Sequence, residues 1–146
     1  MLDVSLREPE YGKILRLDTK KMLVSALQSP PEETQFIVLL TKMLNAKRIL
    51  EIGTFTGYTT MLMAMELPND GKIIACDIDE NWTSLGREYW EKAEVADKID
   101  LRIAPAQKTL ETLIQDGYNN MFDFVFIDAD KDNYKTYYKL ASKLVR

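Results

Sequence analysis

The sequence predicts an α/β fold, a parallel sheet covered by helices on both faces. Two observations carry this. From residue 46 onward, short apolar runs of strand length alternate with amphipathic runs of helical length. The apolar runs are also continuous rather than alternating, which is the pattern of strands buried on both faces. The 146 residues suit one domain, 1–146, with N-terminal helices over 1–45 and a β/α core over 46–146.

Residues 11–28, YGKILRLDTKKMLVSALQ, read as one charged amphipathic helix or two short ones. A further helix opens in SPPEETQF. Pro31 suits its first position, and Glu32 and Glu33 sit where the helix dipole favours acids. Phe36, Leu39, Leu40 and Met43 recur at helical spacing, so that face is expected in the core. The alternating units follow: strand 47–53 (KRILEIG), helix 58–67 stopped by Pro68, strand 71–79 (GKIIACDID) and helix 81–97. Then come strand 99–104 (IDLRIA), helix 106–117, strand 121–130 (MFDFVFIDAD) and helix 133–145. In the last helix Tyr134, Tyr137, Tyr138, Ala141 and Leu144 share a face, expected to pack with the hydroxyls at the rim. Trp90 and Cys76 read as packing residues, whereas Trp82 falls close to the expected ligand crevice.

Composition narrows the function. Hydrophobic residues make up 46% and charged residues 29%, the balance of a folded globule. No apolar run approaches the roughly 20 residues of a membrane span, and MLDVSLREPEYGK lacks the basic-then-apolar order of a secretory signal. A net charge of −4 without a basic block argues against a nucleic-acid partner. The single cysteine, Cys76, allows no internal disulfide and fits a reducing compartment, so a cytoplasmic location is expected. There is no histidine, so any general base must be Lys, Tyr, Asp or Glu.

Acids gather where such a fold binds ligands, outside the carboxyl ends of the strands. Glu51 ends the first strand, Asp77 and Asp79 the second, and Asp128 and Asp130 the fourth. One acid at a strand end is a common solvated residue. Acids on three strand ends repel one another unless something cationic or hydrogen-donating joins them. The loop after the first strand, Gly53-Thr-Phe-Thr-Gly57, lacks the G-x-G-x-x-G spacing of a dinucleotide site. Glu51 would also repel a pyrophosphate. These features fit a ligand with a ribose, positive charge and no phosphate, and S-adenosylmethionine has all three properties. Asp77, 24 residues after Gly53, stands where a carboxylate takes ribose hydroxyls.

ILEIGTFTGYTT, KIIACDIDENW, ADKIDLRIAPA and FDFVFIDADKDNY, with SPPEETQF upstream, resemble successive blocks of one family. It is the cation-dependent, S-adenosylmethionine-dependent O-methyltransferases, the group of caffeoyl-CoA and catechol O-methyltransferases. The match covers about residues 25–146. The resemblance implies a Rossmann-like sheet with only the first four strands in these residues. It implies that Glu51, Gly53 and Thr54 line the methionine end of the cofactor, that Thr59 bonds its carboxylate, and that Asp77 holds the ribose. Ala106 would border the adenine, and Ser29 would touch the cofactor through its backbone. Asp128 would bind a divalent metal such as magnesium and the cofactor region, Asp130 would face a small phenolic substrate, and Lys131 would be the catalytic base. A homodimer is implied for the complete protein. Ala104 departs from the glycine common in relatives, which bears on the adenine side.

In that family the point reached at KLASKLVR is followed by a Pro-Gly-Gly turn and a fifth strand ending in Asp-Asn, which supplies the other metal ligands. The chain is therefore expected to be part of a longer one, with weak metal binding by itself. Other readings stay open: a non-catalytic cofactor-binding fragment, a Rossmann-type oxidoreductase, or a phospho-receiver domain. Lys131 also reads as a solvated residue at a helix start.

Overall fold

The computed structural model describes residues 5–146. Helix α1, Glu10–Thr19, starts after Pro9 with an acid in its first turn and buries Gly12, Leu15 and Thr19. The rest of the 11–28 stretch is turns and a short 3₁₀ segment, Ser25–Leu27. Helix α2, Pro31–Met43, has Pro31 and the two glutamates placed as expected.

The apolar stripe of α2 does not face the core. Phe36, Leu39 and Met43 are exposed, while Thr34, Ile37 and Thr41 face inward. The threonines can do so because their hydroxyls are satisfied locally: Thr41 donates to the Ile37 carbonyl, and Thr34 shares a hydrogen bond with Thr59. Small hydrogen-bonded side chains thus seat α2 against the next helix, which hydropathy spacing does not register.

Strand β1 is Arg48–Ile52, followed by α3 (Tyr58–Glu66), β2 (Lys72–Asp77), α4 (Glu80–Lys92), β3 (Ile99–Ile103), α5 (Ala106–Gln115), β4 (Phe124–Ile127) and α6 (Tyr134–Leu144). All neighbouring strands are parallel, in the order β3-β2-β1-β4. Alternation along β1 splits the core. Ile49 packs with α1, α2, α3 and α4 through Leu15, Ile37, Met61 and Trp90. Leu50 and Ile52 pack with α5 and α6 through Leu110, Leu113, Tyr137 and Leu144. Glu51 therefore points to the same face as Ile49, a position that would otherwise be apolar.

Two expected spans are markedly shorter. The 81–97 helix stops at Lys92, because Glu94 takes φ +55 and breaks the helical path. The strand expected over 121–130 is only Phe124–Ile127, since its ladder follows β1 from Ile49 to Ile52. Among the described residues no strand covers its other edge. In α6, Tyr137, Ala141 and Leu144 are buried, but Tyr134 and Tyr138 are exposed rather than packed. Cys76 is fully buried in β2, where burial pushes its thiol up to about 12.

Candidate active site

The chain leaves β1, builds β2 and β3 on one side, and returns to place β4 on the other. The crevice between the carboxyl ends of β1 and β4 is thus the topological switch point, where open parallel sheets bind ligands. Gly53 sits there at φ +95, and a Cβ on it would lie 2.1 Å from the Asp128 carbonyl oxygen. That carbonyl cannot easily retreat, because Asp128 N donates to Ile52 O at 2.8 Å. Glycine is what brings the two strand ends this close.

Gly57, at φ +73, closes the loop and begins α3. A Cβ there would strike the Trp90 ring at 2.2 Å, and Trp90 Nε1 donates to the Gly57 carbonyl at 3.0 Å. Gly86 on α4 is equally close to the Thr56 carbonyl, 2.2 Å from a would-be Cβ. From the other side, Thr19 of α1 meets Thr56 at 2.8 Å; Thr19 already donates to Leu15 O, so Thr56 is the donor of that bond. Tyr58 donates to Glu8, which is also bound by Arg16. Burial opposes the Glu8 charge, but hydrogen bonds from Arg16 and Tyr58 outweigh it and hold the carboxyl below its usual range. The loop is therefore fixed on both sides.

Asp77 has a role in this frame that the ribose expectation did not contain. Its Oδ2 accepts from Thr54 N (3.0 Å) and Phe55 N (2.7 Å), and its Oδ1 from Ile78 N (2.7 Å) and Asp79 N (2.9 Å). Four donors match the carboxylate's acceptor capacity. Asp77 shapes the glycine loop, and a ribose would have to share or displace one of these donors. Phe55, at φ +52, meets Trp82 edge-to-face with centroids 5.5 Å apart, so Trp82 does lie beside the loop.

Glu51 is 1% exposed and accepts from the Thr60 hydroxyl on α3. Burial, and secondarily the charges of Asp128 and Asp77, push its carboxyl up to about 8, against the hydrogen bond from Thr60. Opposite it, Ser29 Oγ donates to Asp128 Oδ2 at 2.8 Å and ties the segment before α2 to the end of β4. The expected role of Ser29 lay in its backbone; here its side chain closes the crevice. Ser29, Glu51, Gly53, Thr54, Thr59 and Asp128 line one small cavity, joined by Leu27, Gln28, Phe55, Thr56 and Tyr58. The Thr59 hydroxyl is 3.0 Å from that of Thr34, which can donate to it and leave the Thr59 proton for a ligand. Gln28 Nε2 is buried beside the cavity and has no hydrogen-bond partner among the described residues.

Four site expectations fall outside this cavity, Asp77 among them. Ala106, the first residue of α5, does not line it. Asp130 is turned onto α6: Oδ2 accepts from Asn133 N (3.1 Å) and Nδ2 (2.7 Å), and Oδ1 from the Tyr137 hydroxyl (2.6 Å). Those bonds hold its carboxyl below the usual range, and both oxygens bond to the start of α6. Lys131 is exposed in the turn before α6. Among the described residues no group of three or more His, Cys, Asp or Glu converges as a metal site. Asp128, whose Oδ2 accepts from Ser29, is the one expected metal ligand among the described residues, and a divalent ion prefers several oxygen ligands. A larger cavity, about 630 Å³, lies between the N-terminal segment, α2 and α3, but it touches none of the strand-end acids.

A family model described as O-methyltransferase matches residues 2–146. The chain belongs to this O-methyltransferase family. It is 48% identical over 140 residues to caffeoyl-CoA O-methyltransferase 1 of Eucalyptus globulus, covering 96% of this chain and 57% of that protein. It is 44% identical over 149 residues to caffeoyl-CoA O-methyltransferase 2 of Petunia hybrida, covering 62% of it. The chain thus spans less than two thirds of the curated relatives it matches. Among solved structures, the O-methyltransferase TomG from Streptomyces achromogenes in complex with SAM superposes with TM-score 0.90 at 28% identity, covering 99% of this chain and 65% of that one. The O-methyltransferase from Bacillus cereus in complex with SAH gives TM-score 0.89 at 30% identity, covering 99% and 66%. The Rossmann-like fold expected from the sequence is thus that of known O-methyltransferases. No helix among the described residues is long and apolar enough to cross a membrane.

Proposed function

We propose that this member of the O-methyltransferase family binds S-adenosylmethionine in the crevice between β1 and β4 and serves methyl transfer to a hydroxyl of a small phenol, catechol-like or caffeoyl-type. The observation that carries the reading is the Gly53–Asp128 approach beside the buried Glu51. Bound there, the cofactor supplies an electrophilic methyl group on a sulfonium. Glu51 and Asp128 favour its cationic groups, and the Thr59 hydroxyl suits its carboxylate. Gly53 lets the ligand approach the backbone. Phe55 and Trp82 are available to its adenosine side.

A phenol has a pKa of about 10 and is a poor nucleophile until its proton is removed. Lys131, exposed beyond the end of β4, is the group proposed to take that proton. The phenolic oxygen bonds to the methyl carbon, the carbon–sulfur bond breaks, and sulfur keeps the electron pair. Placement of the two reactants supplies much of the acceleration. Metal assistance, which the family resemblance implies, would need ligands besides Asp128, and none of these steps runs through a metal. The partner is a small molecule; a cytoplasmic location and a homodimer of the complete protein complete the proposal.

Titration of S-adenosylhomocysteine and of NAD tests the reading. Binding of the first alone supports it; binding of NAD alone would favour an oxidoreductase and overturn it. Methyl transfer to catechol and caffeoyl-CoA then separates an enzyme from a binding module.

A further inference from the structure

Gln28 has no role in the site described so far, yet its environment calls for one. The side-chain amide nitrogen Nε2 is buried without a hydrogen-bond partner among the described residues. An unsatisfied buried donor is costly and is rarely left so in a folded protein. Glu51 and Asp128, which line the same cavity, are acceptors, but their hydrogen bonds come from Thr60 and Ser29 instead. The donor is thus held back from the acids that share its cavity.

The start of α3 lines the same cavity through Tyr58 and Thr59. Its N-cap, Gly57, offers no side-chain cap, and the first bond within the helix is Met61 N to Gly57 O. A helix start without a capping side chain favours an anionic ligand group. Thr59, on the first turn, adds a hydroxyl whose own proton Thr34 can leave free. Gln28, the helix start and Thr59 offer donors to the cavity, whereas Glu51 and Asp128 offer acceptors. An amino-acid group, with its carboxylate and its ammonium, matches that division.

We propose that Gln28 is a direct ligand contact, donating its amide N–H to the carboxylate of the cofactor's amino-acid end. The proposal rests on the cofactor reading given above. The test compares two ligands in calorimetry: S-adenosylhomocysteine, and 5′-methylthioadenosine, which keeps the adenosine and sulfur but lacks the amino-acid group. Gln28→Leu keeps the approximate volume and removes the donor; Gln28→Glu places a charge against the carboxylate. The Leu variant should weaken S-adenosylhomocysteine about 10- to 100-fold, the usual range for a hydrogen bond to a charged group. The Glu variant should weaken it further, and 5′-methylthioadenosine should bind all three proteins alike.

Ligand-free stability gives a second readout with the opposite sign. Removing an orphaned donor should leave the urea midpoint of Gln28→Leu at or above that of the wild type. Unchanged S-adenosylhomocysteine affinity in the Leu variant would overturn the proposal, as would equal weakening of both ligands, which marks a general collapse of the cavity. If the wild type binds neither ligand, the cofactor reading itself has failed, and the inference with it.

Discussion

Replacing Glu51 by Gln removes the one buried carboxylate of the β1 strand while keeping its shape and an acceptor for Thr60. In the folded, ligand-free protein the Glu51 carboxyl titrates near 8 instead of 4.5, chiefly because it is buried. Between those two values the folded chain holds a proton that the unfolded chain has released. Stability from this group is therefore complete below about pH 4.5 and is lost as pH rises toward 8, by up to about 1.4 kcal/mol per pH unit. Other groups titrate alike in both proteins, so the wild type should lose on the order of 2–3 kcal/mol relative to Glu51→Gln between pH 5.5 and 7.5. Urea unfolding of both proteins at the two pH values measures this difference. Parallel pH profiles would show that Glu51 is already ionised in the folded state, and the electrostatic account of the crevice would fail. The same logic gives a binding signature: a cationic ligand should drive the proton off Glu51, so S-adenosylmethionine binding near pH 7 should release protons in the wild type and not in the variant.

Gly53→Ala combines a left-handed backbone with a 2.1 Å approach to a backbone oxygen, and should cost about 2–5 kcal/mol in urea unfolding and abolish cofactor binding. Asp77→Ala strips the acceptor from Thr54 N and Phe55 N, so it should lower stability by about 1–3 kcal/mol as well as weaken the cofactor; a loss of affinity with stability intact would restore a pure ribose role. Lys131→Ala should leave cofactor affinity within about 2-fold and depress methyl transfer in active protein, with the deficit shrinking above about pH 10, where the phenol ionises unaided. A deficit that is constant with pH would remove Lys131 from the chemistry.

The strand-end acids and the glycine loop were legible because their cause is local: a parallel sheet exposes these positions, and only glycine tolerates the turn at Gly53. The crossing from β3 back to β4, which makes the Gly53–Asp128 approach, is topology that spacing alone does not fix. The α2 face was misread because Phe36, Leu39 and Met43 outweigh Thr34 and Thr41 in hydropathy, whereas paired hydroxyls decide the packing. Asp130 reads as a site acid by position, and Asn133 and Tyr137, three and seven residues later, are the signal that its carboxylate also bonds to the start of α6. Gln28, Thr60 and the Glu8–Tyr58 contact carry no local pattern, because their partners are cavities or residues far along the chain.

The central claim, that the crevice between β1 and β4 holds the cofactor, is tested most directly by amide chemical-shift mapping of the chain during titration with S-adenosylhomocysteine. The account predicts the largest shifts at Gly53, Thr54, Thr59 and Asp128, with Gln28 and Ser29 following and the far ends of the strands unmoved. Absence of binding, or shifts centred on Phe36 and Leu39 along the outer face of α2, would contradict it.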